Sequence, residues 1–95
     1  MANFKLGKIV ATASVADRME HDRVFAAFVS KSLRRYQNGD WGDTCKEDKE
    51  SNDYAVDHEE RILAEYRQDA VKPMRIWIIT EWDRSTTTVL YPEEY

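Results

Sequence analysis

The chain has 95 residues, 34% of them charged, with a formal net charge of −4 and only three Gly and two Pro. That length holds one domain, residues 1–95, and excludes two. The low Gly and Pro content excludes a loop-dominated or disordered chain, and no run of about 18 apolar residues is present to span a bilayer. Met1 to Val10 lacks the apolar stretch of a signal peptide. Cys45 is the only cysteine, so the fold is expected to hold without a disulfide, as in a reducing compartment.

In chain order, Lys5 to Thr12 (KLGKIVAT) predicts a first strand, with Gly7 weakening it or marking a bulge. Ser14 opens a short helical turn, with Asp17 three residues on as an imperfect capping box. The clearest helix runs from Asp22 to Tyr36: Val24, Phe25, Phe28, Val29, Leu33 and Tyr36 share one stripe at helical spacing. Asp22 at its start and Lys31, Arg34 and Arg35 near its end complement the helix dipole, and Asn38-Gly39 stops it.

Asp40 to Asp53 is the most polar stretch. Thr44 and Glu47 form a capping-box pattern that predicts a short helix from Cys45 to Glu50, with a further turn at Tyr54 to Val56 capped by Asn52 or Asp53. The last third is dense in β-branched and aromatic residues and predicts three strands: Glu60 to Arg67, Arg75 to Trp82 and Thr86 to Tyr91. Asp83-Arg84-Ser85 makes a hairpin connection. The fold class that follows is α+β: an antiparallel sheet of the N-terminal strand plus the C-terminal three-stranded meander, with a helical segment packed on one face.

Strand parity assigns Ile62, Ala64, Tyr66, Ile76, Ile78, Thr80, Val89 and Tyr91 to the helix-covered face. The opposite face carries charged residues around Leu63, Trp77, Ile79 and Leu90. A contiguous apolar patch of that kind marks an interface, unless the N-terminal arm or the acidic loop folds over it. The first candidate partner-binding residues are therefore Leu63, Trp77, Ile79 and Leu90. Trp82, beside the second turn, joins them, and together with Trp41 it reads as an exposed aromatic ready for a partner. Trp41 and Trp82 have an alternative reading as lids over a small core.

Charge is segregated along the chain. Met1 to Tyr36 carries seven basic and three acidic residues, a net +4, whereas Asp40 to Glu60 carries nine acidic and two basic residues, a net −7. The acidic middle disfavours tight generic nucleic-acid binding. Asp40, Asp43, Glu47, Asp48 and Asp53 supply an acidic segment of a kind that imitates phosphates, but their spacing does not match a calcium loop. With no Cys pair, and with His21 and His58 distant in sequence, a structural zinc site is not expected, and no cofactor is implied.

Two catalytic arrangements are conceivable. Cys45 at a helix start, with His58 downstream, suggests a thiol nucleophile, though the surrounding acids raise a thiol pKa. Glu65 and Glu81, with Arg67, Arg75 and Thr88 on one sheet face, suggest acid–base chemistry, though such residues also form ordinary cross-strand ion pairs.

The segments GDWGDTCKEDKESNDYAV and RIWIITEWDRSTTTVLYPEEY resemble a group of small bacterial proteins labelled plasmid-related, carried on plasmids and integrated conjugative elements. The resemblance runs from Leu6 to Tyr95. It implies a mobile-element context and a cytoplasmic location, and carries no reaction or catalytic residue with it. The expected function is a non-enzymatic protein-interaction or regulatory role, with a protein partner or a second copy bound on the outer sheet face. The alternatives are an inhibitor of a host defence nuclease acting through the acidic segment, and a small hydrolase or nuclease.

Overall fold

A computed structural model describes residues 4–95; the first three residues of the Met1–Val10 stretch, and of the 1–95 domain, lie outside them. The elements in order are β1 (Lys8–Ala11), α1 (Ala13–His21), α2 (Arg23–Gln37), α3 (Lys46–His58), β2 (Ile62–Gln68), β3 (Met74–Thr80), β4 (Thr86–Leu90) and a 3₁₀ turn (Pro92–Glu94). The fold is α+β. Its sheet has the order β1-β4-β3-β2.

The meander of β2, β3 and β4 is antiparallel, with Ala64 opposite Ile78 and Ile78 opposite Val89. β1 runs parallel to β4, so the sheet is mixed and not the antiparallel one expected. Apolar alternation reports which face a strand buries and is blind to its direction. The direction of β1 is set by three helices that return the chain to β2 at the far edge.

Helix ends follow local chemistry, with two departures from the sequence reading. Asp22 caps α2 as expected, accepting from the Phe25 N–H at 3.1 Å. α1 is a nine-residue helix whose cap is Thr12, not Ser14; the Thr12 hydroxyl accepts from Val15 N–H at 3.4 Å. The short helix and separate turn expected between Cys45 and Val56 form one continuous helix, α3, whose N-cap is Cys45 without a side-chain capping bond. Thr44 does not cap it: its hydroxyl donates to Trp41 O and accepts from Glu65 N–H. The tertiary bond to a strand replaces the local one.

The core lies between the helices and one sheet face. Ile62, Ala64, Tyr66, Ile76, Ile78, Thr80 and Val89 are buried there as parity predicts, and Tyr91 is half-buried. α2 contributes Phe25, Phe28, Val29 and Tyr36. Val24, placed on that stripe by the sequence, is 60% exposed; it sits one residue, about 100° around the helix, from Phe25, outside the arc that meets the sheet.

A buried hydroxyl chain threads this core. Tyr36 donates to Thr80 Oγ1 at 2.8 Å, Thr80 and Thr87 share a 2.8 Å bond, and Thr87 donates to Leu6 O at 2.6 Å. Because the Thr87 proton is committed to a carbonyl, Thr80 must be the donor to Thr87. Burial pushes the Tyr36 phenol pKa well up, which keeps this donor protonated.

The outer edge of β2 is closed by the polar segment before and within α3. Asn52 exchanges two bonds with Leu63, donating to its O at 2.9 Å and accepting from its N–H at 3.3 Å. Glu65 donates its N–H to Thr44 Oγ1 and accepts from Asp43 N–H, both at 2.9 Å. Arg67 N–H donates to Asp43 Oδ2 at 2.7 Å. Every second residue of β2 is thereby satisfied where another strand would otherwise pair. Gly42 makes the approach feasible: at φ 63°, a Cβ there would collide with the Tyr66 ring.

Two stability outcomes follow. Phe28→Ala removes a buried ring from the helix–sheet contact and should cost about 3–5 kcal/mol in chemical denaturation. Asn52→Ala leaves a backbone donor and acceptor of Leu63 unpaired at the covered edge and should cost about 1–3 kcal/mol. An Asn52→Ala midpoint equal to wild type would show that the edge is not held this way.

Candidate interaction surface

The sheet face turned away from the helices is built by Leu63, Glu65, Trp77, Ile79, Thr88 and Leu90. Register puts Leu63 opposite Ile79, Glu65 opposite Trp77, and Trp77 opposite Leu90. The structure therefore brings four of the five candidate partner-binding residues together. It also covers two of them: Ile79 is 4% and Leu90 7% exposed, while Leu63 and Trp77 are half-buried.

The chain's own C-terminal turn shares in that covering. After β4 the 3₁₀ turn folds back against β3. It is held by Glu94, whose carboxylate accepts from Tyr91 N–H at 2.8 Å and from the Thr12 hydroxyl at 2.9 Å. Tyr95 then packs edge-on against Trp77 at 5.4 Å between ring centroids. Its hydroxyl accepts from Arg61 Nη1 at 2.7 Å, and the Arg61 guanidinium lies 5.2 Å from its ring centre. Arg61 continues to Glu81 at 3.9 Å, next in sequence to Trp82. The covering segment expected from the sequence was the N-terminal arm or the acidic loop; the part taken by Tyr95 carried no sequence signal beyond an aromatic residue.

Trp82 itself stands 64% exposed in the β3–β4 turn. The turn is pinned by Arg84, which takes a left-handed φ of 61°. Its guanidinium donates to the carbonyls of Glu60 and Ala55 at 2.7 Å, and to those of Glu81 and Trp82 at 3.2 and 3.3 Å. Asp83 Oδ1 accepts from Ser85 N–H. A turn tied down by this many bonds has little backbone freedom left to lose. Trp41 behaves differently: it is buried against Tyr36 and Phe4, with its Nε1 donating to Asp53 at 2.8 Å.

Glu65 is the charged centre of the outer face. One carboxylate oxygen accepts from Trp77 Nε1 at 2.9 Å and Arg75 Nη2 at 3.1 Å; the other faces Arg67 Nε at 3.0 Å. Burial pushes its pKa up, but the bonds from Trp77 and Arg75 and the charges of Arg75 and Arg67 outweigh it, so the carboxyl sits below its usual range. A carboxylate with both oxygens engaged and a lowered pKa is a weak general base. Glu81 pairs with Arg61 instead and shares none of these partners.

The proposed thiol dyad is separated. Cys45 and His58 occupy opposite ends of α3, about 20 Å apart at 1.5 Å per residue. His58 stacks on Tyr54 with ring centroids 3.7 Å apart. Cys45 is exposed beside a hollow of about 280 Å³ lined also by Thr44, Asp48, Leu63, Glu65 and Trp77, in which no histidine takes part.

The acidic segment divides by task. Asp40 pairs with Arg35 at 2.7 Å, Asp43 serves the β2 edge, and Asp53 holds Trp41. The Arg35 hydrogen bond holds the Asp40 carboxyl below its usual range against the effect of burial. Glu47 and Asp48 lie in the first turn of α3, where the helix dipole favours them. Among the described residues no group of three or more His, Cys, Asp or Glu side chains is placed to hold a metal ion, and no helix is long and apolar enough to cross a membrane.

No protein-family model matches the chain, and no curated protein or solved structure matches it.

The Glu65 site generates a pH signature. Its folded pKa is depressed, so its contribution to stability is complete above the unfolded value of about 4.3 and is lost as pH falls through the folded value. Glu65→Gln should flatten the loss of thermal stability below about pH 5 while lowering stability at neutral pH. Parallel pH profiles for the two proteins would remove Glu65 from the acid response.

Proposed function

We propose that this chain is a non-enzymatic interaction protein that binds a protein partner through the aromatic strip running from Trp82 through Arg61 and Tyr95 to Trp77. The observations that carry this reading are an exposed Trp82 on a turn whose backbone Arg84 holds, and the Arg61–Tyr95–Trp77 cluster on the outer sheet face. These residue types dominate binding energy at protein interfaces. Two further observations support a binding role over a catalytic one: Glu65 is saturated by its neighbours, and Cys45 and His58 stand a helix apart.

The setting we propose is a regulatory role within a mobile genetic element of a bacterial cell, and it rests on the resemblance of the two sequence segments to plasmid-related proteins. Ile79 and Leu90 then act as the floor that supports Trp77, with Leu63 at the margin.

The test is capture of partners by tagged wild-type protein and by Trp82→Ala from cells carrying the parent element, followed by titration of whatever is retained. Trp82→Ala should keep the wild-type melting temperature, since its ring lies in solvent. It should weaken partner binding by roughly 30-fold or more, the effect of losing about 2 kcal/mol at a hot spot. Undiminished binding by Trp82→Ala and by Tyr95→Ala would overturn the assignment of this surface.

A further inference from the structure

The two edges of the sheet are finished differently. β2 is closed by Asn52, Thr44 and Asp43, whereas β1 forms the opposite edge with no such cover. The Lys8 N–H donates to Ser85 O at 3.0 Å and the Thr12 N–H to Val89 O at 3.1 Å. By the alternation of a strand, the main-chain groups of Lys8, Val10 and Thr12 therefore turn toward β4, and those of Ile9 and Ala11 turn outward. Among the described residues nothing bonds these outward groups. The Ile9 side chain is 52% exposed, and Ala11 is exposed as well. An edge of this kind accepts one more strand.

Side-chain charge selects which strand. Lys8 is the one charged residue of β1. It is exposed, and it has no ion-pair partner among the described residues. A lysine on an edge opposes pairing wherever it meets apolar or basic side chains. Lys8, Val10 and Thr12 share the outer sheet face, since Val10 lies beside Thr88, and Thr88 beside Ile79. At the far end of the strand an acid waits on that face: the exposed Glu94 carboxylate accepts from the Thr12 hydroxyl at 2.9 Å. Glu81, beside the near end, is already paired with Arg61.

We propose that the occupant is β1 of a second copy, paired antiparallel about a two-fold axis at Val10. In that register Ile9 of each copy faces Ala11 of the other, and each such pair exchanges both N–H···O bonds, so every outward group is satisfied. Val10 meets Val10. Lys8 of each copy lies opposite Thr12 of the other, with the Glu94 carboxylate bound to that threonine within reach of the lysine stem. The symmetry makes this attraction twice and sets no like charges opposite each other. The second copy is the occupant because it brings an acid to the position where Lys8 needs one. The two sheets then join into one, with both outer faces on the same side.

The test is sedimentation equilibrium of the full chain, combined with amide hydrogen exchange read residue by residue. Wild type should approach twice the chain mass as concentration rises, and the Ile9 and Ala11 amides should become protected in parallel. Ala11→Pro removes an outward N–H and no bond to β4, so it should be monomeric with an unchanged circular dichroism spectrum. Lys8→Glu alters only an exposed side chain and sets two acids against each other, so it should weaken association roughly tenfold or more while melting like wild type. A wild type that stays monomeric at high concentration overturns the proposal, as does a dimer in which the Ile9 and Ala11 amides still exchange freely. Protection of these amides only after a captured protein partner is added gives the edge to a foreign strand and equally overturns it.

Discussion

Closure of the β2 edge is the constraint on which the rest of this structure depends. A four-stranded sheet has two edges, and an open edge is a template for pairing with any passing strand. Here β2 is blocked by Asn52, Thr44 and Asp43, which meet the backbone of Leu63, Glu65 and Arg67 in succession. To do so, the most polar stretch of the chain must lie flat against a strand.

The consequences spread through the fold. With the β2 side occupied, β1 takes the opposite edge, beside β4, and runs parallel to it. Trp41 is drawn inward to pack on Tyr36 and Phe4, which fixes the turn out of α2. α3 is anchored by Asn52 on one side of the helix and by Ala55 in the core, leaving its other flank in solvent beside the end of α2.

The other face is organised by arginines. Arg84 fastens the β3–β4 turn to the end of α3, and Arg61 fastens Tyr95 over the outer sheet. Each uses the planar guanidinium as a multi-point donor, a role that lysine cannot fill. This side is held by the bonds of Arg84 to backbone carbonyls, by the bond of Arg61 to the Tyr95 hydroxyl and by the packing of Tyr95 on Trp77. That leaves Trp82 facing solvent on a turn whose backbone is tied down.

Much of this was legible in the sequence. The alternation of Ile62, Ala64 and Tyr66 with Leu63 and Glu65, and the helical spacing of Phe25, Phe28, Val29 and Tyr36, determined which faces are buried, because burial follows the 2.0 and 3.6 periodicities directly. The α+β class follows from those patterns, as does the adjacency of Leu63, Trp77, Ile79 and Leu90. Tertiary structure alone decided the direction of β1, the removal of Thr44 and Asp43 from helix capping to strand closure, and the covering of Ile79 and Leu90. It also separated Cys45 from His58 and set an acidic helix beside a basic one. Each of these joins residues distant along the chain through hydrogen bonds or packing, and local spacing encodes a side chain's capacity to bond, not which distant partner it meets.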